Sequence, residues 1–176
     1  MKDIFLLYDT SCFFEIVILN YFMSMTECEM VFCSLDGRPI RATEGYSVNV
    51  DMALKDVDKE QIRSFIVPGG DISKIDTDEV RSCLQELKNR QVLIGGICAG
   101  VDLLQHAGIL NGVRSTSSAD LDIVNDHHVV TARPNAYVDF AIEIAKELGL
   151  FEDEADLQET IDFWKYHIAA GEVRSS

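Results

Sequence analysis

Short apolar runs alternate with segments of helical spacing along the chain. The runs predict strands buried in a sheet at residues 4–8, 29–34, 64–67 and 92–97. Helical spacing and helix-end signals predict helices at residues 12–25, 76–90, 99–107, 135–148 and 154–169. Strands connected by helices imply right-handed crossovers and a mostly parallel sheet with helices on both faces, so the fold class is α/β.

Shorter elements fill the gaps between these segments. We expect a short strand at 46–50, an acidic helical piece at 58–62 and an extended piece at 113–116. Residues 123–124 and 128–132 predict two strands joined by a turn at Asn125-Asp126. The 176 residues contain no repeat or linker, which predicts a single domain over 1–176 with a frayed tail at 171–176.

Charge and cysteine content exclude several classes of partner. With 15 basic and 30 acidic residues the net charge is -15, so nucleic acids and anionic membrane surfaces would be repelled. The apolar stretch 13–23 is short and interrupted by Glu15 and Asn20, and Asp3 directly follows Lys2, unlike a signal peptide. We therefore expect a cytoplasmic protein. Five cysteines without a CxxC pair argue against a disulfide framework and a zinc ribbon, so free thiols are expected. We expect no metal and no cofactor.

Cys98 is the first candidate for chemistry. Parallel sheets bind ligands at the carboxyl ends of their strands, and Cys98 follows a predicted strand between Gly96 and Gly100. Such a turn strains the nucleophile, and the amides of the next helix are expected to lower its thiol pKa. The alternative is a small buried residue between a strand and a helix.

Two neighbouring turns contain residues that could support this thiol. Pro68-Gly69-Gly70 ends another predicted strand, so the amide of Gly70 could form an oxyanion hole with that of Ala99; otherwise it is an ordinary turn. Glu15 lies inside the apolar segment 13–19, where burial would keep it protonated and able to donate a hydrogen bond to a thiolate. The alternative for Glu15 is a solvent-facing position on an amphipathic helix.

These features together resemble the ThiJ/PfpI superfamily, relatives of the class-one glutamine amidotransferases that include the parkinsonism-associated deglycase, PfpI-type proteases and isocyanide hydratases. The similarity covers about residues 2–149 and rests on GGICAG, VPGG, the early glutamate, AGILNG and VVTARPNAYVDFAIEIAKELG. It implies a flavodoxin-like three-layer sandwich and a homodimer. It also implies that Cys98 is reactive, that Glu15 is its protonated partner, and that Gly70 and Ala99 occupy the oxyanion position.

The sequence also departs from that superfamily where histidines are expected. Ala99 replaces the histidine that follows the cysteine in protease-like members, and Ser118 ends the segment RSTSS where many others have a histidine. His106 lies about 12 Å from Cys98 by helix rise, too far for proton transfer. His127 and His128 could reach the site only if their hairpin folds over it, and His167 is expected on the surface.

Cys12 precedes Glu15 by three residues and follows the first predicted strand. We hypothesise that it lines the pocket with Gly69 and Ser118 and acts as a resolving thiol once Cys98 is oxidised to sulfenic acid. The alternative is a small buried residue.

Three functions fit this pattern. In the first, the Cys98 thiolate attacks a small electrophile in a glyoxalase- or deglycase-, hydratase- or amidase-like reaction, whereas peptide hydrolysis is not expected without a histidine to protonate the amine. In the second, an oxidant acts on Cys98 and its oxidation is a redox or stress signal without turnover. The third is a non-catalytic binding module that kept the fold.

Overall fold

The computed structural model describes residues 1–169, so the tail expected at 171–176 lies outside the described residues. A seven-stranded sheet forms the centre, in the spatial order β5-β2-β1-β6-β7-β9-β8. Its strands are β1 (Lys2–Leu6), β2 (Glu29–Ser34), β5 (Met52–Ala53), β6 (Ile62–Val67), β7 (Leu93–Ile97), β8 (Ile123–Asp126) and β9 (Val129–Ala132). All neighbouring pairs are parallel except β8 and β9.

Within residues 1–169 there are five α-helices, of which the first four cover the faces of the sheet and the fifth packs against the fourth. They are α1 (Val17–Met25), α2 (Asp78–Asn89), α3 (Ala99–His106), α4 (Tyr137–Glu147) and α5 (Glu154–Tyr166). Side chains alternate along β1: Ile4 and Leu6 pack in the apolar layer of α2 and α3, and Phe5 and Leu7 in that of α1 and α4. The predicted α/β class, with a mostly parallel sheet between helical layers, is therefore confirmed.

A second sheet of only two strands, β3 (Ile40–Arg41) and β4 (Ser47–Val48), forms an antiparallel hairpin. The strand predicted at 46–50 is shorter in the structure, because only Ser47 and Val48 belong to β4. Two backbone bonds attach the hairpin to the end of β1: Thr10 N–H donates to Arg41 O, and Thr43 N–H to Ser11 O. The hairpin therefore lies at the carboxyl edge of the large sheet.

Several predicted boundaries were wrong. The helix expected from residue 12 begins only at Val17, after a separate 3-10 turn at Phe13–Glu15. The turn between β8 and β9 falls at His127-His128, because Asp126 still pairs with Val129 across the hairpin. Both histidines have positive φ, 51° and 60°, as a two-residue hairpin turn requires.

The smaller corrections concern the ends of elements. Residues 113–116 form no strand in the described chain, the 58–62 piece is a 3-10 turn at Lys59–Gln61, and α5 stops at Tyr166. His167 ends α5 in the left-handed conformation. Within residues 1–169, no helix has the length and apolar character needed to cross a membrane.

Candidate active site

Cys98 occupies the sharp turn between β7 and α3. Its backbone has φ 56° and ψ -128°, a region that non-glycine residues rarely adopt, and its amide donates a 3.0 Å hydrogen bond to Ala132 O. Gly100 is required two residues later, because a Cβ there would collide with the carbonyl oxygen of Val67. The fold therefore holds this cysteine at the carboxyl edge of the sheet with the first turn of α3 beneath it.

Glu15 is buried beside this cysteine. The 3-10 turn Phe13–Glu15 directs its side chain inward, leaving the residue only 1% exposed. Its Oε2 accepts a 2.6 Å hydrogen bond from the Gly69 amide, and the carboxyl interacts with the Cys98 thiol. Oε1 is buried and has no hydrogen-bond partner of suitable geometry within residues 1–169. Glu15 thus takes the buried position of the two that its sequence context allowed.

Burial controls the ionisation of this pair. It raises the pKa of Glu15 to about 7, against the opposing effect of the hydrogen bonds from Gly69 and Cys98. Burial and the charge of Glu15 raise the pKa of the Cys98 thiol to about 11. The Ala99 amide at the start of α3 lowers that pKa, but by less. The expectation that the helix terminus would lower the thiol pKa overall was therefore wrong.

Gly69 and Gly70 have different positions in the turn after β6. A Cβ on Gly69 would lie 2.7 Å from Cys98 Cβ and 2.8 Å from Glu15 Oε2, so only glycine fits between these side chains. Its amide is bonded to Glu15, and its carbonyl accepts a 2.9 Å bond from the Cys12 amide. Gly70 has φ 144°. Its amide donates to no group of the described chain.

Cys12 lies at the start of the 3-10 turn and is partly exposed. Its thiol is 3.9 Å from Thr10 O and interacts with the Thr43 side chain. Burial, then the charge of Glu15, raises the Cys12 pKa, and ionisation of Cys12 in turn raises that of Cys98. The two thiols are therefore electrostatically coupled to each other and to Glu15.

Ser118 lies apart from these groups, on an exposed loop. Its hydroxyl accepts a 2.9 Å hydrogen bond from the Ser115 amide and donates to the Ser115 carbonyl at 3.2 Å. No contact to Cys98 or Glu15 involves Ser118 in the described part of the chain. The structure does not bring it together with the other predicted site residues.

Three of the histidines lie beside carboxyl groups away from Cys98. His106 is 2.8 Å from Asp76, His127 is 2.7 Å from Asp126, and His128 is 3.4 Å from Glu147. Because β9 runs parallel to β7, with Val129 opposite Ile94, the 127–128 turn lies at the edge of the sheet opposite Cys98. Their hairpin does not fold over the site.

Three contributors to the pocket were missed by the sequence interpretation. Tyr8 is buried and donates a 2.7 Å hydrogen bond to Pro68 O, and burial raises its pKa. Thr43 and Glu44, from the β3–β4 hairpin, contact the segment that contains Cys12 and Glu15. Tyr8 ends a predicted strand, and this position could have indicated that it lies near the site. No feature of the local sequence indicates that Glu44 does.

Comparisons with known proteins identify the family and the fold. The sequence model of the DJ-1/PfpI family matches residues 1–147. A DJ-1 superfamily protein from Agrobacterium tumefaciens superimposes with a TM-score of 0.84 and 28% identity, covering 95% of this chain and 99% of that one. Oxidised DJ-1 from Toxoplasma gondii superimposes with a TM-score of 0.77 and 20% identity, covering 91% of this chain and 95% of that one. This similarity shows the fold alone.

Curated relatives match over shorter segments. A deglycase from Thermococcus kodakarensis is 28% identical over 96 residues, 53% of this chain and 57% of the relative. The HTH-type transcriptional regulator CdhR of Pseudomonas aeruginosa is 37% identical over 83 residues, 47% of this chain and 24% of the regulator. The matched region thus spans a little over half of the deglycase and a quarter of the regulator.

Proposed function

The chain belongs to the DJ-1/PfpI family, and on that premise we propose that it is an enzyme in which Cys98 attacks a small electrophilic carbonyl compound. The observation that carries this proposal is the pairing of Cys98, on its strained turn, with the buried carboxyl of Glu15. An α-oxoaldehyde is the simplest substrate of this class. The named deglycase relatives support carbonyl chemistry, although the matched region is only part of each.

Proton sharing between Glu15 and Cys98 makes such an attack possible near neutral pH. A coupled pair loses its protons in two steps that belong to the pair, and here the values are about 7 and about 11. Between those steps one proton remains, mainly on the sulfur because its pKa is the higher, in equilibrium with a minor form that has the proton on the carboxyl. The form with a protonated Glu15 and a Cys98 thiolate contains both a nucleophile and an acid.

Addition then proceeds with each group in a defined role. The thiolate forms a bond to the carbonyl carbon, and the C=O electron pair moves to the oxygen. The amides of Gly70 and Ala99 are the proposed donors to this developing oxyanion. Glu15 donates its proton to the oxygen, giving a hemithioacetal, and the resulting carboxylate is the base for the next proton transfer.

The histidine positions argue against peptide hydrolysis. An amine leaving group needs a proton donor, and no histidine within residues 1–169 contacts Cys98. Glu15 is the one acid assigned to the site, and addition to an aldehyde consumes only the single proton it provides. A small carbonyl substrate therefore suits this machinery better than a peptide.

A redox sensor is the competing function, favoured by the partial exposure of Cys98 and the coupling of its thiol to Cys12. In that case peroxide oxidises Cys98 to sulfenic acid, and the protonated Glu15 hydrogen-bonds the oxidised sulfur. Both functions require a reactive Cys98. They differ in whether the protein turns over a substrate.

Turnover of methylglyoxal by the wild type, Cys98→Ser and Cys28→Ser separates them. Cys28 is the matched control because it is a partly exposed thiol outside the pocket. We expect Cys98→Ser to lose turnover while keeping the circular dichroism spectrum of the wild type. Cys28→Ser should retain turnover. If the wild type shows no turnover and Cys98 is oxidised rapidly and stoichiometrically, the enzyme hypothesis is rejected in favour of the redox sensor.

A further inference from the structure

Glu44 lies in the turn of the β3–β4 hairpin, which is fastened to the segment after β1. Thr43 donates from its amide to Ser11 O at 3.0 Å and from its hydroxyl to Thr10 O at 2.6 Å. The turn itself is closed by bonds from Ala42 N–H to Tyr46 O and from Gly45 N–H to Ala42 O. The hairpin therefore holds Glu44 against the residues that lead to Glu15.

Glu44 caps the 3-10 turn that positions Glu15. Its Oε1 accepts a 2.8 Å hydrogen bond from the Phe14 amide. The side chain of Cys12, the residue at the capping position, makes no such bond. A free amide at the start of a helical turn is normally satisfied by a local polar side chain, and here a side chain 30 residues away does so.

The charges that shift the pKa values of Cys12, Glu15 and Cys98 are all negative. The charge of Glu44 raises the pKa of Cys12 and of Glu15, and Glu15 raises that of Cys98. No lysine, arginine or histidine in the described chain shifts the pKa of Cys12, Glu15 or Cys98. Arg41, on the same hairpin, directs its guanidinium to the Ser47 hydroxyl at 3.2 Å.

From this arrangement we infer that Glu44 is a specificity-determining and positioning residue, which holds the turn of Glu15 and makes the Cys98 pocket favour uncharged or cationic electrophiles over anionic ones. The inference deepens the proposed function, on which it rests for the nature of the substrate. Glu15 acts directly on the sulfur, and Glu44 acts on Glu15 and Cys12, so the charges that influence an anionic reagent near Cys98 are negative. A neutral reagent of the same size meets no such barrier.

Two alkylating reagents test this without requiring turnover. Iodoacetamide and iodoacetate have similar size and reaction chemistry, but only iodoacetate is charged. The rate of modification of the Cys98 peptide is measured with each by mass spectrometry, and the ratio is compared with that of free 2-mercaptoethanol. Taking the ratio cancels any change in thiolate fraction, which affects both reagents equally.

Glu44→Gln removes the charge and keeps an acceptor for the Phe14 amide, whereas Glu44→Ala removes both. Glu159→Gln, at an exposed position on α5, removes one charge away from the site as the matched control. We expect the wild-type ratio of iodoacetamide to iodoacetate rates to exceed that of 2-mercaptoethanol by at least about threefold. Glu44→Gln should abolish most of the excess in the rate ratio, whereas Glu159→Gln should leave the ratio unchanged. Salt at about 0.5 M should bring the wild-type ratio closer to that of 2-mercaptoethanol.

Glu44→Ala tests the positioning role, because it should slow alkylation by both reagents more than Glu44→Gln does. A wild-type ratio equal to that of the free thiol, or one unchanged in Glu44→Gln, would overturn the inference. Failure of the proposed enzyme function is seen separately, as absent turnover of methylglyoxal. Where turnover exists, neutral methylglyoxal should be preferred to anionic glyoxylate, and Glu44→Gln should narrow that preference.

Discussion

The amide of Gly69 donates a 2.6 Å hydrogen bond to Glu15, so the turn after β6 holds the carboxyl that faces Cys98. The absence of a side chain at Gly69 leaves the space that Cys98 and Glu15 occupy. One residue thus provides both a donor and room for the reactive pair. The consequences of this contact can be measured.

Gly69→Ala should disrupt the pair. The added Cβ would lie 2.7 Å from Cys98 Cβ and 2.9 Å from its sulfur, so one of the two turns must shift. We expect a loss of about 1–3 kcal/mol in the free energy of unfolding and at least about a tenfold slower alkylation of Cys98. Urea unfolding and iodoacetamide labelling measure both effects.

Gly112→Ala is the control for this substitution, because a Cβ at Gly112 would meet nothing within 4 Å. Its φ of 73° gives it a backbone cost, but the labelling rate of Cys98 should stay within about twofold of wild type. Equal labelling rates in Gly69→Ala and wild type would show that Gly69 is not needed to place the pair.

Alkylation of Cys98 should depend on pH in two steps. In the wild type we expect reactivity to rise near pH 7, when the pair loses its first proton, and again towards pH 11. In Glu15→Gln the first step should vanish. The remaining step should fall below about 11, because the charge of Glu15 no longer opposes the thiolate. A single wild-type step near the ordinary thiol value would contradict the coupling.

Glu15 should also make stability depend on pH. Its pKa rises from an ordinary value of 4.5 to about 7 on folding, so the folded state holds this proton more tightly. Its contribution is therefore greatest below pH 4.5, falls as the pH rises to about 7, and is constant above that. Glu15→Gln lacks this titration.

The difference between wild type and Glu15→Gln should shift by roughly 2 kcal/mol in favour of the variant between pH 5 and pH 8, after allowing for partial solvent screening. Urea unfolding at both pH values measures it, with Glu159→Gln as the control for loss of a surface carboxylate. Parallel pH profiles for wild type and Glu15→Gln would show that Glu15 ionises as freely in the folded chain as in the unfolded one.

Mild peroxide should link Cys12 to Cys98. Peroxide converts the Cys98 thiolate to sulfenic acid, and the Cys12 thiol then displaces hydroxide, forming the disulfide and releasing water. Mass spectrometry of digested protein should detect the linked peptide in wild type and in Cys28→Ser, but not in Cys12→Ser. If wild-type Cys98 advances to sulfinic acid with no linked peptide, Cys12 is not a resolving thiol.

The sheet and the cysteine turn were predictable because their signals are local. The strand at Glu29–Ser34 was predicted with its observed bounds, and the glycines around Cys98 indicated a tight turn before α3. The hairpin turn was placed two residues early, because Asn125-Asp126 has good turn chemistry but pairs within the ladder. There, strand register overrode local preference.

The amino-acid sequence by itself determined the α/β class and the placement of Cys98 at the carboxyl edge, since both follow from patterns within a few residues. Only the tertiary structure decided the chemistry around that sulfur. Glu15 is hydrogen-bonded to Gly69, 54 residues away in the sequence, and Glu44 to Phe14, 30 residues away. The pKa values of Glu15 and Cys98 depend on burial, which packing creates and which no local pattern contains. For this reason the thiol pKa that the sequence was expected to lower is raised in the structure.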